Sequence, residues 1–459
     1  MAPAEISGGR VPWSEHEASG VLAKADVQLI RFLYCDLSGV TRAKVVTRGL
    51  LADKEREGIG LTRAQMAINL LEELQPIPGM EPVGEVRMMP DPATFTVLPW
   101  DPRSGSVLCD LLDQDGKSWG PCPRSFLKSV LRRAERLGIS VRVSIENEFY
   151  LAREKEGALV PIDHAPVYSS IGLDLSAAVM HDIVDGLEAQ GIQVESAINE
   201  YGAGQEEIAV APSSALEAAD RQIKVRDTVR GVALSHGYLA SFAPKPFPEE
   251  IGSGAHIHFS LWEGERNLLY DPAAPQLLSR RGRAFVGGIL CHLRALTALT
   301  CPNYNSYRRL QPHAWASVYT AWGLDNREAA LRVSSPFRGR EERSFNLELK
   351  AADPSANPYL ALGGLILSGL DGIEKDTDPG EGVAVDPADL SDAEREARGI
   401  RPLPKAMAEA LDELEADDVL LPAMGELLAR AYLGVRRSEE RAFAEHDLDF
   451  EIRKSFYRF

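Results

Sequence analysis

Short apolar runs separated by turn residues dominate the first 118 residues of the chain. Two such runs flank an Asp-Leu-Ser-Gly turn within residues 27–46, a pattern typical of a β-hairpin. Further strands are predicted at residues 94–99 and 106–112, and residues 1–20 are predicted to be a disordered or helical lead-in. The pattern therefore predicts a small β-rich domain at residues 1–118.

The hydrophobic pattern changes at residue 123, where longer amphipathic segments begin. Residues 123–137 predict a helix, with Pro123 in its first turn and Gly138 beyond its end. Because strands and long helices are mixed in this part, the pattern predicts an α/β domain at residues 119–459. Further helices are predicted at 176–190, 213–235 and within 402–459, strands at 140–144, 191–196, 205–210, 253–261 and 343–349, and a surface loop at 375–394.

Composition narrows the class of protein. The 459 residues include 50 Lys and Arg against 68 Asp and Glu, a net charge of −18. This acidic excess argues against nucleic acid or an anionic membrane as the main partner. The five cysteines are scattered without a CxxC pair, and no apolar run approaches the roughly 18 residues of a membrane helix. With no signal-peptide pattern at the N-terminus, we expect a cytoplasmic protein.

Two acidic motifs point to metal chemistry. Glu146 and Glu148 are two residues apart on a predicted strand, so both carboxylates face the same side. Glu200 and Glu207 flank a glycine-rich bend that can bring them together. Each motif alone is weak, because an E-x-E pair on a strand is more often a solvated face.

Two further motifs add ligands of the same kind. His256 and His258 are also two residues apart on a predicted strand, and Glu348 lies on another. Five carboxylates with one or two histidines are the ligand set of hard divalent ions such as Mg²⁺ or Mn²⁺. The combination predicts a site for more than one such ion.

Arginines are concentrated in residues 305–310, 326–332 and 338–343. Guanidinium groups bind phosphates and carboxylates through paired hydrogen bonds, although a surface with many salt bridges would give the same pattern. Metal-binding acids beside converging arginines are typical of phosphoryl transfer from a nucleotide. The chain has no GxxxxGK[ST] motif, so it is not a P-loop enzyme.

Six motifs occur in a characteristic order: ENEFYL, NEYGAGQEE, GSGAHIHFSL, NYNSYRRL, NREAALR and ELKAADPSANPYLA. This series resembles the glutamine synthetase superfamily, type I branch, from about residue 27 to the C-terminus. The resemblance implies an α+β protein with an N-terminal β-grasp domain and a catalytic domain built on a curved antiparallel sheet. It also implies use of ATP and glutamate, and a homo-dodecamer with active sites between subunits.

The resemblance assigns roles to the metal-ligand candidates. It implies two to three Mg²⁺ or Mn²⁺ ions in each site, one near glutamate and one on the ATP phosphates. The first ion would be held by Glu148, Glu200 and Glu207, and the second by Glu146, His256 and Glu348.

It also assigns residues to the substrates. His258 and Ser260 would contact the nucleotide, and Gly252 the amino end of glutamate. Arginines would hold the charged groups: Arg332 and Arg343 the phosphates, Arg309 and Arg327 the substrate carboxylate and the transferred phosphoryl group. Of these, Arg327 and Arg332 are the predicted catalytic residues.

Two positions depart from the family among the residues that bind glutamate. Lys350 and Asn346 stand where the family usually has arginine. Lysine keeps the charge but loses the paired hydrogen bonds. Lys350 is still predicted to bind substrate, while the identity of the acid substrate stays open.

The larger departure concerns ammonium. Family members that use ammonia carry an acid in a Pro-Gly-Tyr-Glu flap and another in an N-terminal Asp-Gly-Ser-Ser turn. Here the corresponding stretches, 311–324 and 58–71, contain no Asp or Glu, and Trp315 offers a flat ring for an organic amine. The sequence therefore predicts a γ-glutamyl–amine ligase that acts on an organic amine.

Two alternatives remain open. One is an ordinary glutamine synthetase that uses ammonia with a base from elsewhere, for example His313. The other is a non-catalytic, regulatory relative, which the complete metal-ligand set argues against.

Overall fold

The computed structural model describes residues 16–459, so the first 15 positions of the predicted N-terminal domain and lead-in lie outside the described residues. The first part of the chain is rich in strands. Its elements are α1 Glu17–Lys24, β1 Leu29–Cys35, β2 Thr41–Thr47, α2 Leu51–Glu57, β3 Ile59–Thr62, β4 Glu85–Pro90, β5 Thr96–Leu98 and β6 Asp101–Leu112, with 3-10 turns at Arg48–Leu50, Arg63–Ala67 and Pro92–Thr94.

The rest of the chain mixes helices and strands. Its strands are β7 Ser140–Lys155, β8 Ala158–Pro161, β9 Val194–Asn199, β10 Gln205–Val210, β11 Ser213–Ser214, β12 Leu239–Ser241, β13 Ala255–Glu263, β14 Arg266–Asn267, β15 Trp322–Leu324, β16 Leu331–Ser334 and β17 Asn346–Leu349. Its helices are α3 Pro123–Arg136, α4 Ser170–Glu188, α5 Ala215–Ser235, α6 Arg280–Thr300, α7 Ser306–Arg309, α8 Glu341–Ser344, α9 Pro358–Lys375, α10 Asp392–Ala397, α11 Met407–Ala416, α12 Leu420–Met424, α13 Glu426–Ala444 and α14 Leu448–Arg458, with 3-10 turns at Pro275–Leu277 and Pro387–Asp389.

The N-terminal strands form a six-stranded sheet in the order β2-β1-β6-β4-β3, with β5 beside β6. The predicted hairpin is confirmed, since β1 pairs with β2 antiparallel from Leu29 opposite Thr47 to Cys35 opposite Thr41. Its turn is fixed by Asp36, whose Oδ1 accepts hydrogen bonds from the amides of Ser38 and Val40 at 3.0 and 2.9 Å. Strands β3 and β4 were not predicted from the sequence.

The second sheet has eleven strands in the order β15-β16-β17-β13-β7-β10-β9. The short strands β8, β11 and β12 pair with β7, and β14 pairs with β13. Every pairing is antiparallel except that of β15 with β16. Strand β7 lies in the middle and carries the first acidic motif, so the motif sits on a well-supported strand.

Helices α6 and α9 pack closely against each other, and neither was predicted from the sequence. A Cβ on Gly288 would lie 2.2 Å from the carbonyl oxygen of Ser368, and one on Gly372 would lie 2.2 Å from that of Ala284. The two glycines therefore let the helix backbones touch. Among the described residues, no helix is long and apolar enough to cross a bilayer.

The strand predicted at residues 343–349 is partly wrong. Residues Glu341–Ser344 form the single helical turn α8, and β17 begins only at Asn346. The amides of Ser344 and Phe345 donate to the carbonyls of Arg340 and Glu341, at 2.9 and 3.0 Å, which closes the turn. The strand therefore starts where these helical hydrogen bonds end.

Candidate active site

The register of the large sheet aligns three of the sequence motifs. Glu207 on β10 lies opposite Glu148 on β7. Glu146, two residues earlier on β7, lies opposite His256 on β13. Because side chains two residues apart share a face, these four groups point to the same side of the sheet.

The same row continues across two more strands. His258 on β13 lies opposite Glu348 on β17, and Glu348 lies opposite Arg332 on β16. Five neighbouring strands thus contribute one chemically active side chain or more to a single face. We call the acids and histidines of this set, without Arg332, the carboxylate row; it consists of Glu146, Glu148, Glu207, His256, His258 and Glu348.

One end of the carboxylate row can hold a cation. Ligand atoms of Glu146, His258 and Glu348 all lie within 4.8 Å of one another. Nε2 of His258 is buried without a hydrogen-bond partner of suitable geometry, although it is 3.1 Å from Oε1 of Glu146. Nδ1 of the same ring lies 2.8 Å from Oδ1 of Asn346, which fixes the ring and leaves Nε2 facing the carboxylates.

A second group of ligand atoms, from Glu146, Glu207 and His256, also lies within 4.8 Å. Glu146 is shared by the two groups. The predicted division of ligands was different, with Glu146, His256 and Glu348 in one set and Glu148, Glu200 and Glu207 in the other. The structure adds His258, and the division itself stays a prediction, because carboxylates rearrange around a bound ion.

Glu148 and Glu200 are oriented by neighbouring donors. Oε2 of Glu148 accepts hydrogen bonds from the amide of Gly254 at 2.8 Å and from Nε2 of Gln205 at 3.2 Å. Glu200 lies nearer the rim, where its Oε2 accepts from the amide of Tyr201 at 3.1 Å. The sequence singled out neither Gly254 nor Gln205 individually, although both belong to the motifs that were recognised.

Crowding of buried acids shapes the electrostatics of the row. Burial, followed by the charges of Glu146, Glu148 and Glu200, raises the pKa of Glu207 to about 9. Burial, only partly opposed by the Arg309 charge, raises the pKa of Glu148 to about 7. A divalent cation among these groups would offset their repulsion, so the acids fit the hard ions proposed from the sequence.

The histidines behave differently from each other. Burial and then the charge of Lys350 lower the pKa of His256 to about 4, so this imidazole is neutral and able to ligate. Burial lowers the pKa of His258, but the carboxylates of Glu146 and then Glu348 outweigh burial and raise it to about 9. In the free protein, His258 therefore supplies positive charge that an incoming cation would replace.

Glu348 is neutralised by two cationic side chains. Arg332 Nη1 lies 2.5 Å from its Oε2, and Lys350 Nζ lies 3.2 Å from its Oε1. Burial raises the pKa of Glu348, yet Lys350 and then His258 and His256 outweigh burial and lower it to about 2. Lys350, predicted to bind substrate, thus also neutralises a buried acid.

Arg309 lies against the row, beside His256. Its Nη2 lies 3.4 Å from Nε2 of His256, while its buried Nη1 has no hydrogen-bond partner. Gly252 makes room for it, because a Cβ there would lie 2.6 Å from Cγ of Arg309. A buried guanidinium with a free donor is a ready partner for an anionic substrate.

A cavity of about 760 Å³ opens over most of these groups. Of the predicted site residues, ten line it: Glu146, Glu148, Glu200, Glu207, Gly252, His256, Arg309, Trp315, Arg327 and Lys350. Such a volume suits small-molecule substrates. Four acids and several cations in one cavity can hold divalent ions and anionic groups together.

The remaining predicted residues lie outside the cavity lining. Arg332, His258 and Glu348 belong to the adjoining end of the sheet face. Ser260 follows His258 on β13 by two residues, and its Oγ accepts from Nε1 of Trp262 at 2.8 Å. Arg343 is exposed on α8. The predicted nucleotide contacts of Ser260 and Arg343 stay predictions.

The far end of the cavity carries aromatic rings. Tyr201 meets Trp315 edge to face at 5.4 Å between ring centroids, and Tyr168 meets Tyr201 in the same way at 5.6 Å. All three line the cavity. The sequence pointed to Trp315 but to neither tyrosine, because no motif links positions that far apart along the chain.

An acid lies next to this end, outside the cavity lining, although residues 311–324 contain none. Oε1 of Glu328 accepts a hydrogen bond from the backbone amide of Trp315 at 3.0 Å. His313, the alternative base, lines the cavity while its Nδ1 pairs with Asp386 at 2.8 Å. Glu328 belongs to the NREAALR motif, but only the arginines of that motif were interpreted from the sequence.

Comparison with known proteins gives a consistent result. The family model described as glutamine synthetase, catalytic domain, matches residues 120–455, and that of the glutamine synthetase N-terminal domain matches residues 19–119. A relative from Streptomyces coelicolor named gamma-glutamylpolyamine synthetase GlnA3 is 36% identical, covering 95% of this chain and 94% of its own. The glutamine synthetase of Thermotoga maritima is 33% identical, covering 95% and 98%.

Solved structures agree with these relatives. A glutamine synthase homologue superimposes with a TM-score of 0.84 at 30% identity, covering 94% of this chain and 99% of the other. The ligand-free form of a protein called GmaS gives a TM-score of 0.82 at 31% identity, covering 95% and 98%. The mixed helix-and-sheet fold predicted from the sequence is therefore confirmed.

Proposed function

Because the chain belongs to the glutamine synthetase family, we propose that it is an ATP-dependent γ-glutamyl–amine ligase whose acceptor is an organic amine. Membership of this family implies that the chain is a carbon–nitrogen ligase. The preference for an organic amine rests on the aromatic end of the cavity, which we call the acceptor end. There Trp315 and Tyr201 line the wall, and residues 311–324 supply no carboxylate.

The proposed reaction has two steps. An oxygen of the glutamate γ-carboxylate attacks the terminal phosphorus of ATP, and the bond to the ADP oxygen breaks. The lone pair of a neutral amine then attacks the acyl carbon of γ-glutamyl phosphate, phosphate leaves with its bonding electrons, and the nitrogen loses a proton. The products are ADP, phosphate and a γ-glutamyl amide.

Two to three Mg²⁺ or Mn²⁺ ions would be held by the carboxylate row together with Glu200. The donor set supports this proposal, because it is rich in carboxylate oxygens and has two imidazoles and no thiolate. Bound ions supply positive charge that offsets the charge on the transferred phosphoryl group.

Side chains of this chain would position both substrates. The free donor of Arg309 suits a carboxylate or the phosphoryl group, and Arg327 lines the same cavity. Gly252 would lie against the amino end of glutamate, with Lys350 beside its carboxylates. On the nucleotide side we propose His258, Ser260, Arg332 and Arg343.

We further propose the finer organisation implied by the family. The first 118 residues would form a β-grasp domain and residues 119–459 the catalytic domain, and the two sheets lie on either side of this boundary. The protein would act in the cytoplasm as a homo-dodecamer with active sites shared between subunits.

Ammonia is the competing acceptor, and the identity with glutamine synthetases such as that of Thermotoga maritima favours it. The relative named gamma-glutamylpolyamine synthetase supports an organic amine instead. A non-catalytic relative is disfavoured, because a protein without chemistry has no need for a buried cluster of repelling acids.

The test is a phosphate-release assay on the full chain with glutamate, ATP, Mg²⁺ and a panel of amines, with products identified by mass spectrometry. We expect at least one organic amine to exceed ammonium in kcat/KM. Higher kcat/KM with ammonium than with every organic amine would overturn the choice of acceptor. Failure to form γ-glutamyl hydroxamate from hydroxylamine would overturn the activity itself.

A further inference from the structure

Three aromatic side chains form a continuous strip at the acceptor end of the cavity. Tyr168, Tyr201 and Trp315 are 52%, 50% and 44% exposed, and each contacts the next edge to face. We call these three residues the aromatic strip. Half-exposed rings in a cavity wall leave faces and edges free for the methylene groups and the charge of an alkylammonium ion.

The aromatic strip has a carboxylate at each end. At one end, Oε2 of Glu200 lies 3.5 Å from the hydroxyl of Tyr168 and accepts the amide of Tyr201. At the other end, Oε1 of Glu328 accepts the amide of Trp315. The two acids come from different motifs and are separated by the length of the strip.

Glu328 is half-buried behind Trp315, and this placement is costly for a charged group. Burial and the charge of Asp386 raise the pKa of Glu328. A positively charged group beside it would offset that cost. Among the described residues, no cationic side chain forms an ion pair with Glu328, and Nδ1 of His313 lies 2.8 Å from Oδ2 of Asp386 instead.

We propose that the acceptor is an aliphatic diamine or polyamine that lies along the aromatic strip. Its reacting nitrogen would face the Glu200 end, next to the carboxylate row, and its distal ammonium would lie beside Trp315 and Glu328. This inference rests on the proposed ligase activity and adds the chemical class of the amine.

A diamine fits this surface better than the other amines. A simple alkylamine would cover the rings but leave the Glu328 end without a cation. An aromatic amine would stack on the rings and equally leave that acid unpaired. Ammonium would contact neither the strip nor the distal acid.

The first experiment compares 1,4-diaminobutane with 1-butylamine on the full chain. The two have the same carbon chain and differ only in the distal ammonium. Cation–π contact plus one charged pair predicts that kcat/KM for the diamine is at least about tenfold higher. We expect the difference in KM, because the distal group acts in binding and not in the chemistry.

Paired variants locate the effect. Glu328→Gln should lower the diamine-to-butylamine ratio of kcat/KM to near one, whereas Glu396→Gln, an exposed acid on α10, should leave the ratio unchanged. Tyr201→Ala should weaken both amines through loss of the ring, and Tyr201→Phe, which keeps the ring, should restore them. Thermal melting of each variant checks that it is folded.

The outcomes separate this inference from the proposed function. Equal kcat/KM for the diamine and butylamine, with both above ammonium, would overturn the diamine and leave the ligase. An unchanged ratio in a folded Glu328→Gln variant would also overturn it. Ammonium as the best acceptor would instead overturn the proposed function.

Discussion

The two ends of the cavity are built in opposite ways. The carboxylate row lies on four hydrogen-bonded strands, β10, β7, β13 and β17, where the register fixes each side chain against its neighbour. The aromatic strip lies on connecting segments, with Trp315 between α7 and β15 and Tyr201 between β9 and β10. The predicted metal ligands are therefore on the rigid part, and the strip proposed to choose the amine is on loops.

The backbone shows the same contrast. Within the described sheet strands that carry the row, no residue other than glycine has a positive φ. Around the strip, Trp315 has φ 52°, and His313 and Ser317 have φ 58° and 62°. Such conformations cost L-amino acids about 1 kcal/mol or more each, so contacts such as Glu328 to the Trp315 amide must hold this loop.

The difference teaches how one fold can change its acceptor. Under the proposed function, replacing a carboxylate of the row would remove a predicted ligand of the metal ions. Replacing a ring of the strip would alter only what lies against the far wall.

The largest effect is expected from Glu146→Gln, because Glu146 is the acid common to both groups of ligand atoms. The amide keeps the size of the side chain but removes the charge that a divalent ion needs. We expect γ-glutamyl hydroxamate formation to fall by more than about 100-fold at saturating Mg²⁺.

Glu154→Gln is the matched control, since Glu154 lies on the same strand and is exposed beyond the row. Its activity should equal that of the parent. A folded Glu146→Gln variant with more than a tenth of the parent activity would contradict the assignment of Glu146 to the metal site.

The sequence predicted the row better than the strip for a physical reason. Residues two apart on a strand share one face of the sheet. The sequence therefore correctly predicted that Glu146 shares a face with Glu148, and His256 with His258. This spacing does not state which strands are neighbours, and only the register shows that Glu348 lies opposite His258.

The strip could not be predicted in the same way. Its contacts depend on loop conformations with no periodic pattern, and Tyr168 and Trp315 are far apart along the chain. The absence of acids in residues 311–324 pointed to the segment that carries Trp315, but Glu328, which accepts a hydrogen bond from the Trp315 amide, comes from the neighbouring motif. The long helix α6 was not predicted, although most of its residues from Gly282 to Thr300 are buried.

The second effect concerns the choice of acceptor. Trp315→Glu places a carboxylate at the position where family members that use ammonia have their flap acid. We expect the ratio of kcat/KM for ammonium to that for 1-butylamine to rise by about tenfold or more, because an ammonium ion gains a charged partner and the alkyl chain loses a ring.

Trp315→Phe serves as the control, because it keeps an aromatic ring and adds no charge, and its ratio should stay near that of the parent. KM for ATP should not change in either variant, since the row is untouched. A Trp315→Glu variant that is folded and active but keeps the parent ratio would show that the flap does not select the acceptor.

The smallest effect is on stability, and it follows from the repulsion within the row. Burial and neighbouring acids hold the pKa of Glu207 near 9 in the folded protein, well above its unfolded value. Between about pH 5 and pH 9 the unfolded chain therefore binds fewer protons at this position than the folded chain. Stability falls as pH rises through that window, and the loss is complete above the folded pKa.

Glu207→Gln removes this titration. In EDTA, we expect its melting temperature to exceed that of the parent by about 1–3 °C at neutral pH, with a smaller difference near pH 5. Added Mg²⁺ or Mn²⁺ should reverse the order, because only the parent gains a full set of ligands. Glu195→Gln, an exposed acid on the adjacent strand β9, should melt with the parent throughout. A Glu207→Gln variant less stable than the parent in EDTA would mean that Glu207 is held by favourable contacts, and that the row is stable without any ion.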